Sequence, residues 1–476
     1  MAENVTLVGL DCGTTTSSLV VASADLVRGA VGGRVDLTNF RERFRSPMEF
    51  TPLADDERLD LARFEALLDE WCAAAALERA SIFGGGTLLT GLAAEKENAR
   101  GVVALVRRRF GEVLVATAAD PCLESWLAFM GSCGELSQTL ADVPILNLDI
   151  GGGTTNSAIG FGGQVAATGC LFVGARHVRF EPGGYLIVGL SRYARLLFEQ
   201  LGIRRSIGDE LSAAQRDRIV EAYVELIAAL VAGQPIAPPL GEFLEQVPLA
   251  RYGRQADLAV TFSGGVGELI YRHWAGEPWP ATTEFGDLGI DLARRLTKLA
   301  EREPERYRLR PVAGGRATSF GLMRHTTETS GSTLFLPRPD VLPLADLPIL
   351  GRIDSASESA ALRESLKFVM RSACGGALQA SFVGEPAAEV RSFGTRLAEA
   401  LDEVAFPQTL PLVLLVRENI GKTLGQYATR WGAVRRALVV VDEVPPRAAQ
   451  YLQLGALRSG IVPVSFYGLR PTEDMR

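Results

Sequence analysis

Asp11 and Asp149 each close a short apolar run, and each is followed by glycine and threonine. The first segment reads Asp11-Cys-Gly-Thr-Thr-Thr-Ser17, the second Asp149-Ile-Gly-Gly-Gly-Thr-Thr-Asn156. Glycine and small hydroxyl residues let backbone N–H groups come close to a phosphate. A carboxylate at the strand end can hold a magnesium ion through water, since that ion prefers hard oxygen ligands. A third segment, Ser263-Gly-Gly-Val-Gly-Glu268, follows another apolar run, and its glycines leave room for a flat base against the backbone. Each segment alone is also ordinary turn chemistry. Two Asp–Gly–Thr turns and a Ser–Gly–Gly turn, in order along one chain, point instead to a phosphate-binding cleft.

The elements that must position these turns follow from the apolar pattern. Thr6–Asp11 and Ser18–Ala22 flank the first turn as a hairpin, and Ile145–Ile150 and Ser157–Phe161 flank the second in the same way. This is an internal repeat of supersecondary structure. Leu258–Phe262 is the strand that enters the third turn. Helical spacing predicts helices over Asp56–Arg79, Asn98–Phe110, Leu123–Met130, Ser212–Val231 and Phe285–Glu301. Val113–Ala116 reads as a strand and Pro235–Pro248 as a proline-interrupted loop. Beyond the proline-rich stretch Pro337–Pro348, helices are expected near Ser357–Met370 and Phe393–Leu401. A strand Leu410–Val416, a turn to Gly421, a helix to about Arg436 and a strand Ala437–Val441 then form a βαβ-like unit, with β structure from Leu452 to Leu469.

The chain has 476 residues, 47% of them hydrophobic and 22% charged, enough for two to four compact units. A net charge of −7 argues against a reader of nucleic-acid backbones. Glycine is abundant, at 50 residues. The six cysteines (Cys12, Cys72, Cys122, Cys133, Cys170, Cys374) show no paired or zinc-like spacing and read as reduced thiols. His177, His273 and His325 head no metal motif. No signal peptide and no membrane span are expected.

The constellation resembles the actin-like ATPase superfamily. Within it the chain is most similar to the EutA family of ethanolamine ammonia-lyase reactivating factors. The matching segments are Gly9–Thr16, Asn98–Arg100, Leu123–Ser125, Leu146–Thr154, Ser263–Glu268, Ser330–Thr333, Gly421-Lys422 with Leu424-Gly425, Asp442–Val444 and Val462–Val464. One departure is Leu92 after Thr90-Gly91, where the family leads one to expect Glu.

The resemblance implies an α/β protein with the two-lobed actin-like ATPase fold, built from ribonuclease-H-like repeats, plus an additional C-terminal α/β domain. The first lobe would span 1–142, the second 143–335 and the C-terminal domain 336–476. Ala118–Gly131 and Ala317–Met323 would be the crossover helices between lobes. ATP or ADP would be held by Gly13, Thr14, Thr15, Gly151, Gly152, Gly153, Thr154, Ser263, Gly264, Gly265 and Glu268. Mg²⁺ would be held by Asp11 and Asp149. Asp149, Asp11 and Glu124 are the catalytic candidates, and whether Asp149, Glu124 or Asp120 positions the attacking water stays open. Glu268 either approaches the ribose or base or is solvated. Lys96, Arg100 and Arg324 are phosphate neighbours or plain surface charges.

The function implied is ATP-dependent reactivation of adenosylcobalamin-dependent ethanolamine ammonia-lyase, with slow ATP hydrolysis. Damaged cobalamin would be released so that intact coenzyme can bind, and cobalamin would be met only through the partner enzyme. The partner would be that lyase, with no nucleic acid and no membrane, and a homodimer is open. The location would be the cytoplasm, with a bacterial microcompartment as one association. Two other readings remain: a small-molecule kinase of the same superfamily, and a filament-forming actin-like protein. The turn Arg417–Thr423 before Leu438–Glu443 mimics a P-loop, but Val416 stands where that pattern needs glycine.

Overall fold

A computed structural model describes residues 3–13, 16–29, 35–54, 58–89, 97–111, 113–117, 121–250, 257–281, 283–311, 316–382, 387–444 and 449–469. Three sheets, each carrying helices, organise these residues. In the first, β1 (Glu3–Cys12), β2 (Thr16–Arg28), β3 (Val35–Arg45), β5 (Ile82–Leu89) and β6 (Leu114–Thr117) lie in the order β3-β2-β1-β5-β6, and β4 (Glu49–Phe50) pairs with β2. Helices α1 (Leu61–Ala74) and α2 (Ala99–Phe110) cover one face, where Phe64, Leu68, Trp71, Val102 and Val106 are buried with Val8 and Leu10. Asp60 starts α1 by accepting the Arg63 N–H. Asn98 clamps the two segments together: its amide accepts Leu59 N–H at 2.9 Å and donates to Leu59 C=O at 2.8 Å.

Helix α3 (Pro121–Thr139) leads to the second sheet. There β7 (Ile145–Ile150), β8 (Thr155–Phe161), β9 (Gln164–Leu171), β12 (Glu245–Val247) and β13 (Ala259–Ser263) run β12-β9-β8-β7-β13, while β10 (Val178–Phe180) and β11 (Ile187–Leu190) form a separate ribbon. Helices α4 (Arg192–Gln200), α5 (Ala213–Val231), α6 (Leu240–Leu244), α7 (Gly264–Trp274) and α8 (Gly289–Ala300) complete this unit. The two sheets repeat one plan: β1 and β7 each pair antiparallel with the next strand and parallel with a later one. The antiparallel pair needs only a tight turn, whereas the parallel partner needs a long crossover.

Helix α9 (Ala317–His325) returns from the second unit and packs on the first sheet, while α3 packs on the second. The two cross at glycines. A β-carbon on Gly131 would lie 1.9 Å from Ala317 C=O, and one on Gly321 would lie 2.2 Å from Leu127 C=O. Gly9 gives α9 the same close access to β1, 2.1 Å from Ser319 C=O.

The third sheet runs β14-β20-β19-β15-β16-β17-β18, from β14 (Glu328–Thr329), β15 (Leu344–Asp354), β16 (Gly376–Ser381), β17 (Leu412–Val416), β18 (Leu438–Val441), β19 (Ala449–Leu454) and β20 (Pro463–Leu469). Strands β15 to β18 are parallel and alternate with α10 (Ser359–Met370), α11 (Ala387–Glu403) and α12 (Gly421–Ala428). The two-lobed α/β architecture with its added C-terminal α/β unit is therefore the fold observed.

Several local expectations are corrected. Pro235–Pro248 holds α6 and β12 rather than loop alone, because β12 is a strand only through its pairing with β9. The segment expected as helix from Phe285 becomes helical at Gly289. The helix after Gly421 ends at Ala428, and Arg430 and Trp431 follow with φ of 50° and 59°. Strand β15 begins inside the proline-rich stretch and runs through Pro348, on its antiparallel side towards β19. Among the described residues no helix is long and apolar enough to cross a membrane. All six cysteines are free.

Candidate functional site

The two Asp–Gly–Thr turns close in the same way. Gly13 N–H donates to Thr16 C=O at 3.0 Å, and Gly151 N–H donates to Thr154 C=O at 3.0 Å. Asp11 faces Ser18 across its hairpin and Asp149 faces Asn156 in the matching register. Each turn is braced from outside. Thr51 donates its hydroxyl to Gly13 C=O at 2.7 Å, and Ser18 meets Ser319 of α9 at 2.8 Å. The second turn is held by Ala175 and Arg176, whose N–H groups donate to Gly151 C=O at 3.0 Å and Gly152 C=O at 2.7 Å. Gly174 must be bare there, since a β-carbon would sit 2.5 Å from Gly152 C=O.

The third turn joins β13 to α7 with no linker. Gly264 takes φ +76°, and a β-carbon on it would meet Ile150 C=O at 2.6 Å. Parallel pairing places Ser263 beside Asp149 and Thr261 beside Asn147. A buried polar chain results: Thr261 donates to Asn147 at 2.9 Å, Asn147 to Ser263 at 2.9 Å, and Ser263 to Asp149 at 2.6 Å. Cys133 of α3 lies 3.2 Å from the Thr261 hydroxyl. Burial pushes the Asp149 carboxyl up to about 6, against the opposing hydrogen bond from Ser263.

These turns face one cavity of about 310 Å³ between the two units. Its wall includes Asp11, Gly13, Glu124, Asp149, Gly151, Gly152, Gly153, Thr154, Gly264, Gly265 and Glu268. Ser263 is fully buried behind that wall and holds Asp149. Thr14, Thr15, Lys96, Asp120 and the Thr90–Leu92 segment lie outside the described residues. Arg100 is exposed, and Arg324 pairs with Glu135 on the surface, so neither faces the cavity. Glu124 is buried on the first turn of α3, whose neighbour Ser125 donates to Gly169 C=O at 2.8 Å.

Met48, Phe50, Phe285, Asp287 and Thr318 also line the cavity and carry no local motif. Only the fold brings them there. Asp287 had one faint signal, a carboxylate just before a glycine-started helix. Its Oδ1 accepts Gly289 N–H at 2.8 Å, and burial raises its carboxyl.

The donor set suits a nucleotide with magnesium. Glycine at both turns lets phosphate oxygens come close to the backbone, and five carboxylates, Asp11, Glu124, Asp149, Glu268 and Asp287, stand at the wall. Among the described residues no group of three or more His, Cys, Asp or Glu could enclose a metal ion. Magnesium rarely requires such a cage, because it keeps water and takes one or two carboxylates plus phosphate.

The P-loop-like turn is filled by the chain itself. Gly421 N–H, at the start of α12, donates to the Thr333 hydroxyl at 3.0 Å, and a β-carbon on Gly421 would meet Thr333 C=O at 2.5 Å. Asp442 accepts Thr333 N–H at 3.0 Å and its hydroxyl as well, while Glu443 accepts Ser332 N–H at 2.8 Å. Ser330 and Val462 exchange two hydrogen bonds, 2.9 and 3.0 Å. The four C-terminal motifs thus meet in one knot around residues 330–333. Lys422 stays exposed.

A profile for the family described as ethanolamine utilisation protein EutA matches residues 3–469. Ethanolamine ammonia-lyase reactivase EutA of Escherichia coli K12 is 32% identical over 478 residues, covering 97% of each chain. The protein of the same name from Salmonella typhimurium LT2 is 31% identical over 481 residues, again covering 97% of each. Among solved structures, an exopolyphosphatase-like protein aligns at 17% identity over 64% of this chain and 90% of its own, with a TM-score of 0.39.

Proposed function

Since the chain belongs to the EutA family of ethanolamine utilisation proteins, we propose that it is an ATP-dependent reactivating factor for adenosylcobalamin-dependent ethanolamine ammonia-lyase. The observation that supports this most is the extent of the match: it runs through the cleft and the C-terminal unit alike, at 97% of both chains, to proteins named as that lyase's reactivase. The lyase is accordingly the partner, and damaged cobalamin is the cargo released from it.

In this reading the turns of Gly13 and Gly151–Gly153 let the phosphates of ATP come close to the backbone. The N–H groups of Gly152 and Gly153 are the donors, while those of Gly13 and Gly151 close the turns. The hydroxyls of Thr14, Thr15 and Thr154 are the further candidates. Gly264, Gly265 and Glu268 form the adenosine side. Asp11 and Asp149 would hold magnesium through water, and that ion would supply neutralising charge at the phosphates. Ser263 fixes the rotamer of Asp149. Asp149 or Glu124 orients the attacking water. Both phosphate turns touch the same nucleotide, so its γ-phosphate biases how far the two units close about the crossing of α3 and α9. Closure alters the surface offered to the lyase. The lyase shifts to its open, cofactor-releasing form only by as much as that surface prefers it.

The test is direct. Ethanolamine ammonia-lyase blocked with cyanocobalamin is incubated with this protein, ATP, Mg²⁺ and adenosylcobalamin. Recovery of lyase activity is expected, and its absence overturns the reading. Asp11→Ala and Asp149→Ala should each slow ATP-dependent recovery by about 10²-fold or more, the usual loss for a preorganised charge, while both variants still fold and unfold cooperatively in urea. Wild-type ATPase rates in both variants would show that the cleft lies elsewhere.

A further inference from the structure

One contact across the mouth of the cleft belongs to neither phosphate turn. Phe50 comes from the first unit. It sits on β4, where pairing with Thr16 of β2 ties it to the first phosphate turn. Its side chain is 53% exposed yet lines the cavity. Arg176 comes from the second unit, with its backbone N–H fixed on Gly152 C=O at 2.7 Å. Its guanidinium carbon lies 5.4 Å from the centre of the Phe50 ring.

The arginine is held there by little else. Its Nε and Nη1 are buried and have no hydrogen-bond partner. A guanidinium carries five donors, and leaving buried donors unpaired is costly. The ring face is one of two partners this cation has in the structure. A second partner stands on its own side. Asp287 is buried at the same cavity and attracts Arg176 electrostatically. When the units separate, Phe50 leaves and Asp287 remains. Separation of the units would therefore leave Arg176 with a partner in the second unit alone.

We propose that Arg176 and Phe50 form a latch across the cleft mouth that sets how long a bound nucleotide stays. The inference rests on the reading that the cleft holds a nucleotide, and it adds the control of its exit. Each half of the latch is tied to one phosphate turn, Phe50 through Thr16 and Arg176 through Gly152. Separation of the turns therefore breaks the latch, and a nucleotide bridging them keeps it closed. A cation over a ring is a modest contact, so the latch tunes residence time and does not lock the cleft.

The experiment is stopped-flow release of a fluorescent N-methylanthraniloyl-ADP from the full-length chain with Mg²⁺, chased by excess ATP. Phe50→Ala is the decisive variant because that side chain is largely exposed and its loss spares the core. Phe50→Ala and Arg176→Ala should each raise the dissociation rate about threefold to thirtyfold. The double variant should be no faster than the faster single one, as expected when one interaction is removed twice. Phe50→Trp and Arg176→Lys should stay near the wild-type rate, a rescue that general loosening would not give. Unchanged release in Phe50→Ala, or additive effects in the double variant, overturns the latch while the nucleotide reading stands. Absence of any analogue binding by the wild-type chain overturns both.

Discussion

His177 has no exposed surface and lies against the rings of Tyr193 at 5.5 Å and Tyr223 at 6.2 Å, with Nδ1 2.8 Å from the Ser191 hydroxyl. Burial holds its pKa down at about 4 against an ordinary 6.5, so the unfolded chain takes up the proton first as pH falls. The stability tied to neutral His177 is complete above about pH 6.5 and drains away towards pH 4. Between pH 7 and 5 this one residue should cost the fold about 2 kcal/mol. Urea midpoints measured across that range should fall less steeply in His177→Gln, and identical slopes would refute the assignment. Asp149 works in the opposite sense: its raised carboxyl loses stability as pH climbs from about 4 to about 6 and it ionises. Asp11 and Asp149 were legible from sequence because each stands beside its own glycines. The role of Ser263 was not. It depends on the parallel register of β13 against β7, which joins residues 114 positions apart. Phe50 and Arg176 were silent for the same reason.

At the scale of elements, the crossing of α3 and α9 depends on the absence of side chains. Gly321→Ala would push a methyl group into Leu127 C=O, 2.2 Å away, where neither backbone can yield without moving a helix. A loss of about 1–3 kcal/mol is expected, as for overpacked cores. Gly134→Ala on the same α3 is the matched control. Its β-carbon meets only the flexible end of Met130, at 3.3 Å, so stability should hold or rise slightly given the better helix propensity. Equal losses in the two variants, read from urea unfolding, would remove the special status of the crossing. Helices with local signals were readable. The α5 start is one, with Ser212 and Gln215 forming a reciprocal capping box. Elements that exist only through distant partners were not, as β12 shows. Helix α12 was read too long because the chain leaves the helix at Ala428, and Arg430 and Trp431 already take positive φ before Gly432 (φ 82°) marks the turn.

For the whole molecule, the knot around residues 330–333 is where the chain leaving α9 is tied into the third sheet. Thr333→Val would strip the hydroxyl that serves both Asp442 and Gly421, leaving a buried carboxylate short of a donor. About 1–3 kcal/mol of stability should be lost. Limited proteolysis should then cut the 330–340 region well before the cleft units, and a wild-type cleavage pattern would contradict the role given to the knot. The sequence motifs marked these residues, but their common location was invisible until the third sheet was assembled.

That knot begins only a few residues after α9 ends at His325, and the intervening chain is itself pinned: Thr327 accepts Gly85 N–H at 2.7 Å, and Thr329 donates to Val35 C=O. The C-terminal unit is thus fastened to the first unit of the cleft: Arg107 also pairs with Asp346 at 2.9 Å, and Arg458 donates to Ala80 C=O at 2.6 Å. A protein that grips this unit therefore pulls on the unit that carries the first phosphate turn. By thermodynamic reciprocity, whatever factor nucleotide imposes on that grip, the grip imposes on nucleotide affinity.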